Sequence, residues 1–407
     1  MRRYTTIMLI ALSLAALVGP LAADDAGVST SISGFIKFDG FYDTRQVVSA
    51  REGHFLLYPA GISEDAEGND LNAVNNINMV NFQTRLRADI TAPDALGAKV
   101  TGLIEGDFFG ASNGNENEFR LRHSFVKLNW GASQLQIGQY WSPLFSTAVF
   151  PQVVSFNTGM PIQPFARNPQ IRYTTKVGEN LTVIGAATMQ RDAFQEISGR
   201  TKQQQSGLPG LHLFGELGTA KALIGGGGHL RFIRHSAGAD VFSSTVFTAY
   251  GKLVGDKLAM RAKTIYGGDL ADQLMLGGYA ILTDTVTTDV EYFPTRNLST
   301  WIDVMTSGGA VSLGVFAGYS TNLGIGSDLE QDVIHDFSAA RSPNIAGLWR
   351  VSPRAVYNAG KLRFAFELEI TSALYAGAYK ADLSPKTLSS DERVTNVRGL
   401  LATYLFF

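Results

Sequence analysis

Apolar and polar residues alternate along this chain in many successive segments. In each segment, apolar side chains at every second position are separated by charged or polar ones. A period of two places neighbouring side chains on opposite faces of a β-strand, so the pattern predicts strands with one apolar and one charged face. The clearest sets are Ile32, Ile36 and Phe38 against Ser33, Lys37 and Asp39; Phe82, Leu86 and Ile90 against Gln83, Arg85, Arg87 and Asp89; Val100, Ile104 and Phe108 against Lys99, Glu105 and Asp107; and Phe119, Leu121 and Phe125 against Arg120, Arg122 and Ser124.

Short turns and longer connections alternate between the predicted strands. Eight short segments rich in Gly, Asn and Asp have hairpin-turn chemistry. They are 92–97, 129–133, 177–180, 218–221, 254–257, 282–285, 306–310 and 358–361. The connections between them include 44–77, 142–168, 191–209, 321–346 and 376–393, with shorter ones at 110–117 and 235–240. Short turns at one end and long loops at the other are typical of outer-membrane barrels. Eight turns alternating with nine loops give 18 strands, and one hairpin fewer gives 16.

Composition agrees with a barrel but does not prove it. Charged residues make up 17% of the chain, below the roughly 25% of soluble domains. The mean hydropathy is +0.04, which is expected when lipid-facing apolar residues alternate with polar residues facing a lumen. A soluble β-sandwich also alternates in this way. The two ends of the chain therefore have to distinguish a membrane barrel from a soluble sandwich.

The N-terminal segment, residues 1–23, has the features of a secretory signal. Two basic residues follow the initiator methionine, an apolar core covers 7–18, and small residues precede a predicted cleavage site before Asp24. An N-terminal membrane anchor is the alternative, but the core is shorter than the roughly 20 residues of a membrane span. We therefore expect an exported protein.

The C-terminal strand supports an outer-membrane barrel. The chain ends on Phe407 after an alternating segment, which is the form that outer-membrane barrels present to their assembly machinery. After the signal, no apolar run reaches the roughly 18 residues of a transmembrane helix. Only helices and closed barrels satisfy every backbone group in lipid. The sequence therefore predicts an all-β protein, with residues 24–407 forming one transmembrane antiparallel β-barrel domain of 16 to 18 strands.

Several kinds of chemistry find no support in the sequence. There is no cysteine, the six histidines show no metal-ligand spacing, and the net charge of -2 gives no reason to expect nucleic acid. The glycines at 225–228 lack the Gly-Lys-Ser/Thr of a phosphate loop. Acidic residues near 64–70 and 328–332 are interpreted as solvated loops rather than Ca²⁺ sites. We expect no catalytic site, no cofactor and no metal.

The third loop, residues 142–168, has an unusual composition. It is rich in apolar residues and proline, contains no Asp or Glu, and carries a single charge, Arg167. An exposed apolar loop of this length would be a liability. The composition therefore predicts that the loop folds inward and packs against the inner wall of the barrel.

Charged side chains are predicted to face this loop from the wall. Together with the single charge of the loop, the predicted pore-lining residues are Lys37, Asp39, Arg85, Arg87, Glu105, Asp107, Arg120, Arg122 and Arg167. Basic residues outnumber acidic ones, and the loop opposite them carries no carboxylate, so the field across the constriction should favour anions. The alternative is that these charges pair across strands and line a wide, weakly selective lumen.

The first third of the chain resembles a known family. The segments 104–110 (IEGDFFG), 119–125 (FRLRHSF), 137–142 (IGQYWS) and 166–174 (ARNPQIRYT), with 34–39 (GFIKFD), resemble the DcaP-like family of trimeric outer-membrane porins. The resemblance implies a homotrimer of 16-stranded barrels and the passage of small anionic solutes such as carboxylates.

We therefore expect a passive diffusion porin of the outer membrane, with small hydrophilic solutes, membrane lipid and lipopolysaccharide as its partners. One alternative is a barrel hydrolase acting on lipid or glycan, although no G-x-S-x-G motif is present. The other is a structural or adhesin barrel with a plugged lumen.

Overall fold

Sixteen antiparallel strands form a closed barrel in the computed structural model of the protein. The structure describes residues 27–110, 114–191, 196–197, 200–329, 333–388 and 393–407, so the predicted signal at 1–23 lies outside the described residues. The strands are β1 Ser29–Asp43, β2 Asn76–Val80 with its continuation Arg85–Ala95, β3 Ala98–Asp107, β4 Arg120–Asn129, β5 Ser133–Trp141, β6 Arg167–Val177, β7 Leu181–Thr188, β8 Gly210–Gly218, β9 Ala222–Arg234, β10 Val241–Val254, β11 Leu258–Gly268, β12 Val290–Thr306, β13 Val311–Asn322, β14 Ile345–Ala359, β15 Leu362–Tyr375 and β16 Arg393–Phe406.

The barrel closes between its first and last strands. β1 pairs with β2 on one side and with β16 on the other, where Phe35 lies opposite Phe406. Gly34 and Phe407 exchange two backbone hydrogen bonds of 3.2 Å. Closure pairs every strand with two neighbours, which removes the free edges that a sheet in lipid could not satisfy.

The count of 18 strands is wrong, and the 16 strands implied by the family resemblance are confirmed. A strand at Gly277–Asp284 pairs with the first residues of β12, so the turn predicted at 282–285 lies at the loop end. Two short strands, Val333–Asp336 and Ala340–Arg341, pair with its other edge. This small sheet extends the wall beyond the rim. In the sequence, its apolar segment 279–282 followed by the predicted turn resembles a membrane strand with its hairpin.

Side chains on the outer face are apolar and exposed, as alternation predicts. Ile36 is 53% exposed and Ile104 is 50% exposed, whereas Lys37 and Asp107 on the inner face are buried. One predicted outward residue, Phe82, lies instead in the break between the two parts of β2. It packs inward against Phe109, with ring centroids 6.3 Å apart, so its predicted outward position is wrong.

A β-bulge changes the faces of β4. The pairing of β3 with β4 shifts between Glu105 and Gly106. A shift of one residue exchanges the two faces of a strand. Beyond the shift, Val126 is 53% exposed on the outer face, and Phe125 packs inward against Tyr140 with ring centroids 5.1 Å apart. The prediction that Phe125 faces outward is therefore wrong.

The remaining elements belong to the long loops at the external end. They are the strand pairs Val47–Ala50 with Phe55–Pro59, Glu196–Ile197 with Arg200–Thr201 and Ala378–Tyr379 with Pro385–Lys386, the helix Lys202–Ser206, and the 3-10 turns Pro143–Phe145 and Ala271–Gln273. Among the described residues, no helix is long and apolar enough to span a membrane. Two loops matter for the site: L1, residues 44–75, and L3, residues 142–166.

Candidate pore lining

L3 lies inside the barrel and is bound to the wall formed by β11 to β15. Glu367 of β15 accepts hydrogen bonds from the backbone amides of Val154 (2.6 Å) and Ser155 (3.4 Å). Arg350 of β14 donates to the carbonyl oxygen of Met160 at 2.6 Å. Because each of these bonds joins a charged side chain to a buried backbone group, they fix the path of the loop. The prediction of an inward-folded third loop is confirmed.

Other charged wall groups bind L3 in the same way. Lys263 of β11 donates to the carbonyl oxygen of Leu144, and Asp303 of β12 accepts from the backbone amide of Gln152 at 3.2 Å. We call Lys263, Asp303, Arg350 and Glu367 the anchoring wall. Because these charged groups bind the backbone of L3, they can interact only partly with a solute.

L1 also folds into the lumen, which the sequence analysis did not predict. Phe55 packs against Phe156 of L3 with ring centroids 5.3 Å apart, and Phe109 stacks on Phe156 at 4.0 Å. His54 contacts Asp39 through Nε2 at 2.8 Å. Burial lowers the pKa of His54 despite this carboxylate, which favours the neutral ring. The apolar run at Phe55–Pro59 was the available signal in the sequence.

Arginines gather on the wall formed by β2, β3 and β4. Arg120 contacts Asp107 at 2.7 Å, and Arg122 contacts Glu105 at 2.8 Å and Asp107 at 2.6 Å. Arg85 lies 3.6 Å from Glu105. The strand register explains this group, because Asp107 lies directly opposite Arg85 on one side and Arg120 on the other. The side chains of Arg85 and Arg120 remain about one-fifth exposed, at 19% and 21%.

Arg167 adds a fourth guanidinium to this group from the start of β6. Among the described residues it has no carboxylate within 4.0 Å, and its guanidinium lies over the rings of Trp141 (5.2 Å) and Phe165 (5.5 Å). Asp107 attracts its charge, and Arg122 is near enough to repel it. We call Arg85, Arg120, Arg122 and Arg167, with Glu105 and Asp107, the arginine cluster. It contains two more cations than carboxylates.

The other three predicted pore-lining residues belong to two separate ion pairs, one of which includes Asp89. Lys37 and Asp39 lie 3.0 Å apart with almost no exposed side-chain surface, because Lys37 also donates to the carbonyl oxygen of Val154 in L3. Arg87 and Asp89 lie 2.6 Å apart, and each side chain is 42% exposed. The structure therefore brings six of the nine predicted residues together. Their role in lining a pore stays a prediction.

Three of the lumen-side basic residues that the sequence analysis missed lie together. Lys127, Arg172 and Lys176 line a cavity of about 470 Å³ between L3 and the short turns, with Glu216 as the carboxylate of its lining. We call this cavity the lower chamber. Lys127 was missed because the β4 bulge reverses its face. Arg172 and Lys176 alternate with outward-facing Ile171 and Tyr173 in β6, so their signal was present in the sequence.

Metal ligands do not cluster in the part of the chain that the structure describes. No group of three or more His, Cys, Asp or Glu residues there has a geometry that could hold a metal ion. Asp328 of the acidic segment 328–332 belongs to this part, whereas Glu330 and Asp332 lie outside the described residues.

A closed barrel of 16 strands, with an inward third loop and a charged inner wall, defines the class of porin-like outer-membrane barrels. Residues 19–221 match the family model described as DcaP outer membrane protein. The chain belongs to this family, and the protein is located in the outer membrane. Membership gives no support to the hydrolase alternative.

Solved structures of similar fold agree with this assignment. The outer membrane channel DcaP of Acinetobacter baumannii is 15% identical, with 95% of this chain and 99% of that chain covered at a TM-score of 0.70. An anion-selective porin from Comamonas acidovorans is 10% identical, with 93% and 100% covered at 0.57. OmpT of Vibrio cholerae, in a trimer form, is 9% identical, with 94% and 100% covered at 0.53. At these identities the likeness shows the fold. None of the curated proteins compared with this chain matches it.

Proposed function

We propose that the protein is a passive diffusion porin for small hydrophilic solutes and that it prefers anions such as carboxylates. The observation that carries the proposal is the excess of cations in the arginine cluster, which faces a third loop without a single carboxylate. A cationic constriction raises the local concentration of anions and lowers that of cations.

The partial exposure of the cluster supports a role in the pore. Fully paired and buried charges would only stabilise the wall, as in the Lys37–Asp39 pair. Arg85 and Arg120 instead keep about one-fifth of their side chains exposed. Arg167 has no carboxylate within 4.0 Å among the described residues. Solutes in the lumen can therefore approach guanidinium groups that the wall carboxylates do not fully neutralise.

Planar lipid bilayers with a salt gradient test this proposal directly. We expect discrete conductance steps, and a reversal potential with the sign of anion preference. Arg120→Gln should move the reversal potential toward zero. Lys386→Gln, which removes one charge from an exposed position in the external loop before β16, is the matched control and should leave it unchanged. A cation-selective current would refute the preference, and the absence of conductance and of solute-driven liposome swelling would refute the pore.

We also propose that three copies of the chain associate in the membrane, in contact with lipid and, in the outer leaflet, lipopolysaccharide. Support comes from the apolar outer face of the strands and from the trimer form of the similarly folded OmpT. Native mass spectrometry in mild detergent should give a three-chain mass. A single-chain mass in every detergent tested, with no cross-linked oligomers in membranes, would contradict it.

The signal segment leads to a separate proposal. Residues 1–23 have a basic start, an apolar core and a small-residue end. We expect them to be removed during export, with residues 24–407 remaining as one barrel domain. N-terminal sequencing of protein purified from membranes should begin at Asp24. A mature chain that still begins at Met1 would contradict this.

A further inference from the structure

The lower chamber is a second place where the lumen is open to a ligand. It lies on the short-turn side of L3, which faces the periplasm in an outer-membrane barrel. L3 residues Ser146, Thr147 and Ala148 form part of its lining, and most of the rest comes from strands β4 to β8 and β10 and from the turn between β4 and β5. A volume of about 470 Å³ lies within the range of small-molecule sites.

The charge of the lower chamber is less neutralised than that of the arginine cluster. Lys127, Arg172 and Lys176 have no carboxylate within 4.0 Å among the described residues, whereas Arg120 and Arg122 each contact one at 2.8 Å or less. The carboxylate in the lining, Glu216, accepts a hydrogen bond from the hydroxyl of Tyr250 at 2.8 Å. The chamber therefore presents three cations and one partly satisfied carboxylate.

Arg172 is held in one orientation. Its Nε donates to Oε1 of Gln170 at 2.9 Å, and its Nη2 donates to the carbonyl oxygen of Trp141 at 2.7 Å. Its guanidinium also lies 5.5 Å from the ring centroid of Tyr140. These contacts leave Nη1 without a protein partner among the described residues. A fixed guanidinium loses little conformational entropy when it binds an anion.

A buried donor without a partner points to the same cavity. Gln136 of β5 lines the chamber and is 5% exposed, and its Nε2 makes no hydrogen bond with the described residues. Buried polar groups in native proteins are almost always hydrogen-bonded, so an orphaned donor requires an explanation. A carboxylate bound near Arg172 would satisfy it.

We propose that the lower chamber is an anion-binding site for small organic carboxylates, in series with the arginine cluster and reached from the periplasmic side. Arg172 and Gln136 would donate to the carboxylate, and Lys127 and Lys176 would add long-range attraction. The inference rests on the proposed anion preference of the pore, but it places binding at residues that the proposed constriction does not include.

Calorimetric titration of the full chain in detergent with benzene-1,3,5-tricarboxylate tests the site without relying on conductance. Arg172→Gln should weaken binding about tenfold or more, because it removes a charge-assisted hydrogen bond. Arg172→Lys keeps the positive charge, so it should bind the tricarboxylate more tightly than Arg172→Gln does. Gln136→Leu should also weaken binding, although it removes no charge. Lys386→Gln, the matched loss of one charge from an exposed position in the external loop before β16, should change binding less than twofold.

Bilayer recordings then test the sidedness. The chain has no cysteine, so Glu179→Cys in the turn between β6 and β7 provides a unique thiol that identifies the periplasmic side. The tricarboxylate should block current more strongly from this side, and Arg172→Gln should abolish the difference. Equal weakening by Arg172→Gln and Lys386→Gln, or no effect of Gln136→Leu, would overturn the site while leaving the pore intact. Loss of conductance in the wild type would instead refute the pore, and the calorimetry would still decide the site.

Discussion

The arginine cluster and the anchoring wall lie on two sides of the same lumen and use their charges differently. In the anchoring wall, Glu367 and Arg350 bind the backbone of L3 directly. In the arginine cluster, charged groups bind one another, and more guanidinium than carboxylate is present. The same alternating sequence pattern therefore yields a structural surface on one wall and a surface for solutes on the other.

This difference shows that the role of a lumen-facing charge depends on the group it binds. A carboxylate that accepts hydrogen bonds from the backbone amides of a loop has a structural role, because its removal leaves buried donors unsatisfied. A guanidinium in excess over its carboxylates keeps attraction for an incoming anion. Substitutions on the two walls should therefore separate stability from selectivity.

The largest effect is expected for Asp107→Asn. The side chain of Asp107 is fully buried and contacts both Arg120 and Arg122. Its loss leaves Arg120 without a carboxylate within 4.0 Å among the described residues and leaves Arg122 with Glu105 alone. Breaking a buried ion pair costs about 3–5 kcal/mol. Urea unfolding in detergent micelles, followed by tryptophan fluorescence, should show this loss together with stronger anion preference. Asp89→Asn in the exposed pair is the control, and equal destabilisation by both would contradict the comparison.

Glu367→Gln should loosen L3 without changing selectivity much. The amides of Val154 and Ser155 would lose a charged acceptor, at a cost of about 1–3 kcal/mol. Limited proteolysis should cut L3 faster, and single-channel currents should become noisier. Glu291→Gln at the exposed external rim provides the comparison variant. Wild-type noise and protease resistance in Glu367→Gln would show that the anchoring wall does not hold the loop.

Arg85→Gln should change selectivity more than stability. Arg85 lies 3.6 Å from Glu105 and is partly exposed, so its loss should cost at most about 1 kcal/mol of unfolding free energy. It reduces the excess charge of the arginine cluster by one. The reversal potential in a salt gradient should therefore move toward zero. A large fall in stability with unchanged selectivity would place Arg85 among the structural charges.

The smallest effect is expected for Arg87→Gln. It makes the same change in charge as Arg85→Gln, but at a pair that is 42% exposed. Such pairs contribute about 0.2–1 kcal/mol. The shift in reversal potential should be smaller than that of Arg85→Gln. If the two shifts are equal, selectivity depends on the total charge of the lumen rather than on the arginine cluster.

Much of the barrel and of the arginine cluster could be predicted from the sequence. The alternation that places Arg85, Arg87, Glu105 and Asp107 on one face needs only local geometry. The composition of L3 also predicted its inward fold, because an apolar loop of that length must be covered. Such inferences hold where a local pattern has one physical solution.

The missed features depend on contacts between distant segments. The bulge at Glu105 and Gly106 arises from pairing between β3 and β4, so nothing in β4 alone shows that Lys127 faces inward. The extension at Gly277–Asp284 is an apolar segment followed by a predicted turn, as a membrane strand would be, and only its strand pairing shows that it lies beyond the rim. L1 enters the lumen because Phe55 meets aromatic residues from two other loops.

The seam between β1 and β16 makes assembly dependent on the completeness of the chain. Until β16 is in place, β1 and β15 each expose a row of amides and carbonyls that lipid cannot satisfy. A chain interrupted at any earlier point therefore has two strand edges with unpaired backbone groups. Such edges promote aggregation and pairing with other chains. Because β16 is the last strand of the chain, this barrel can close only after the whole chain has been made.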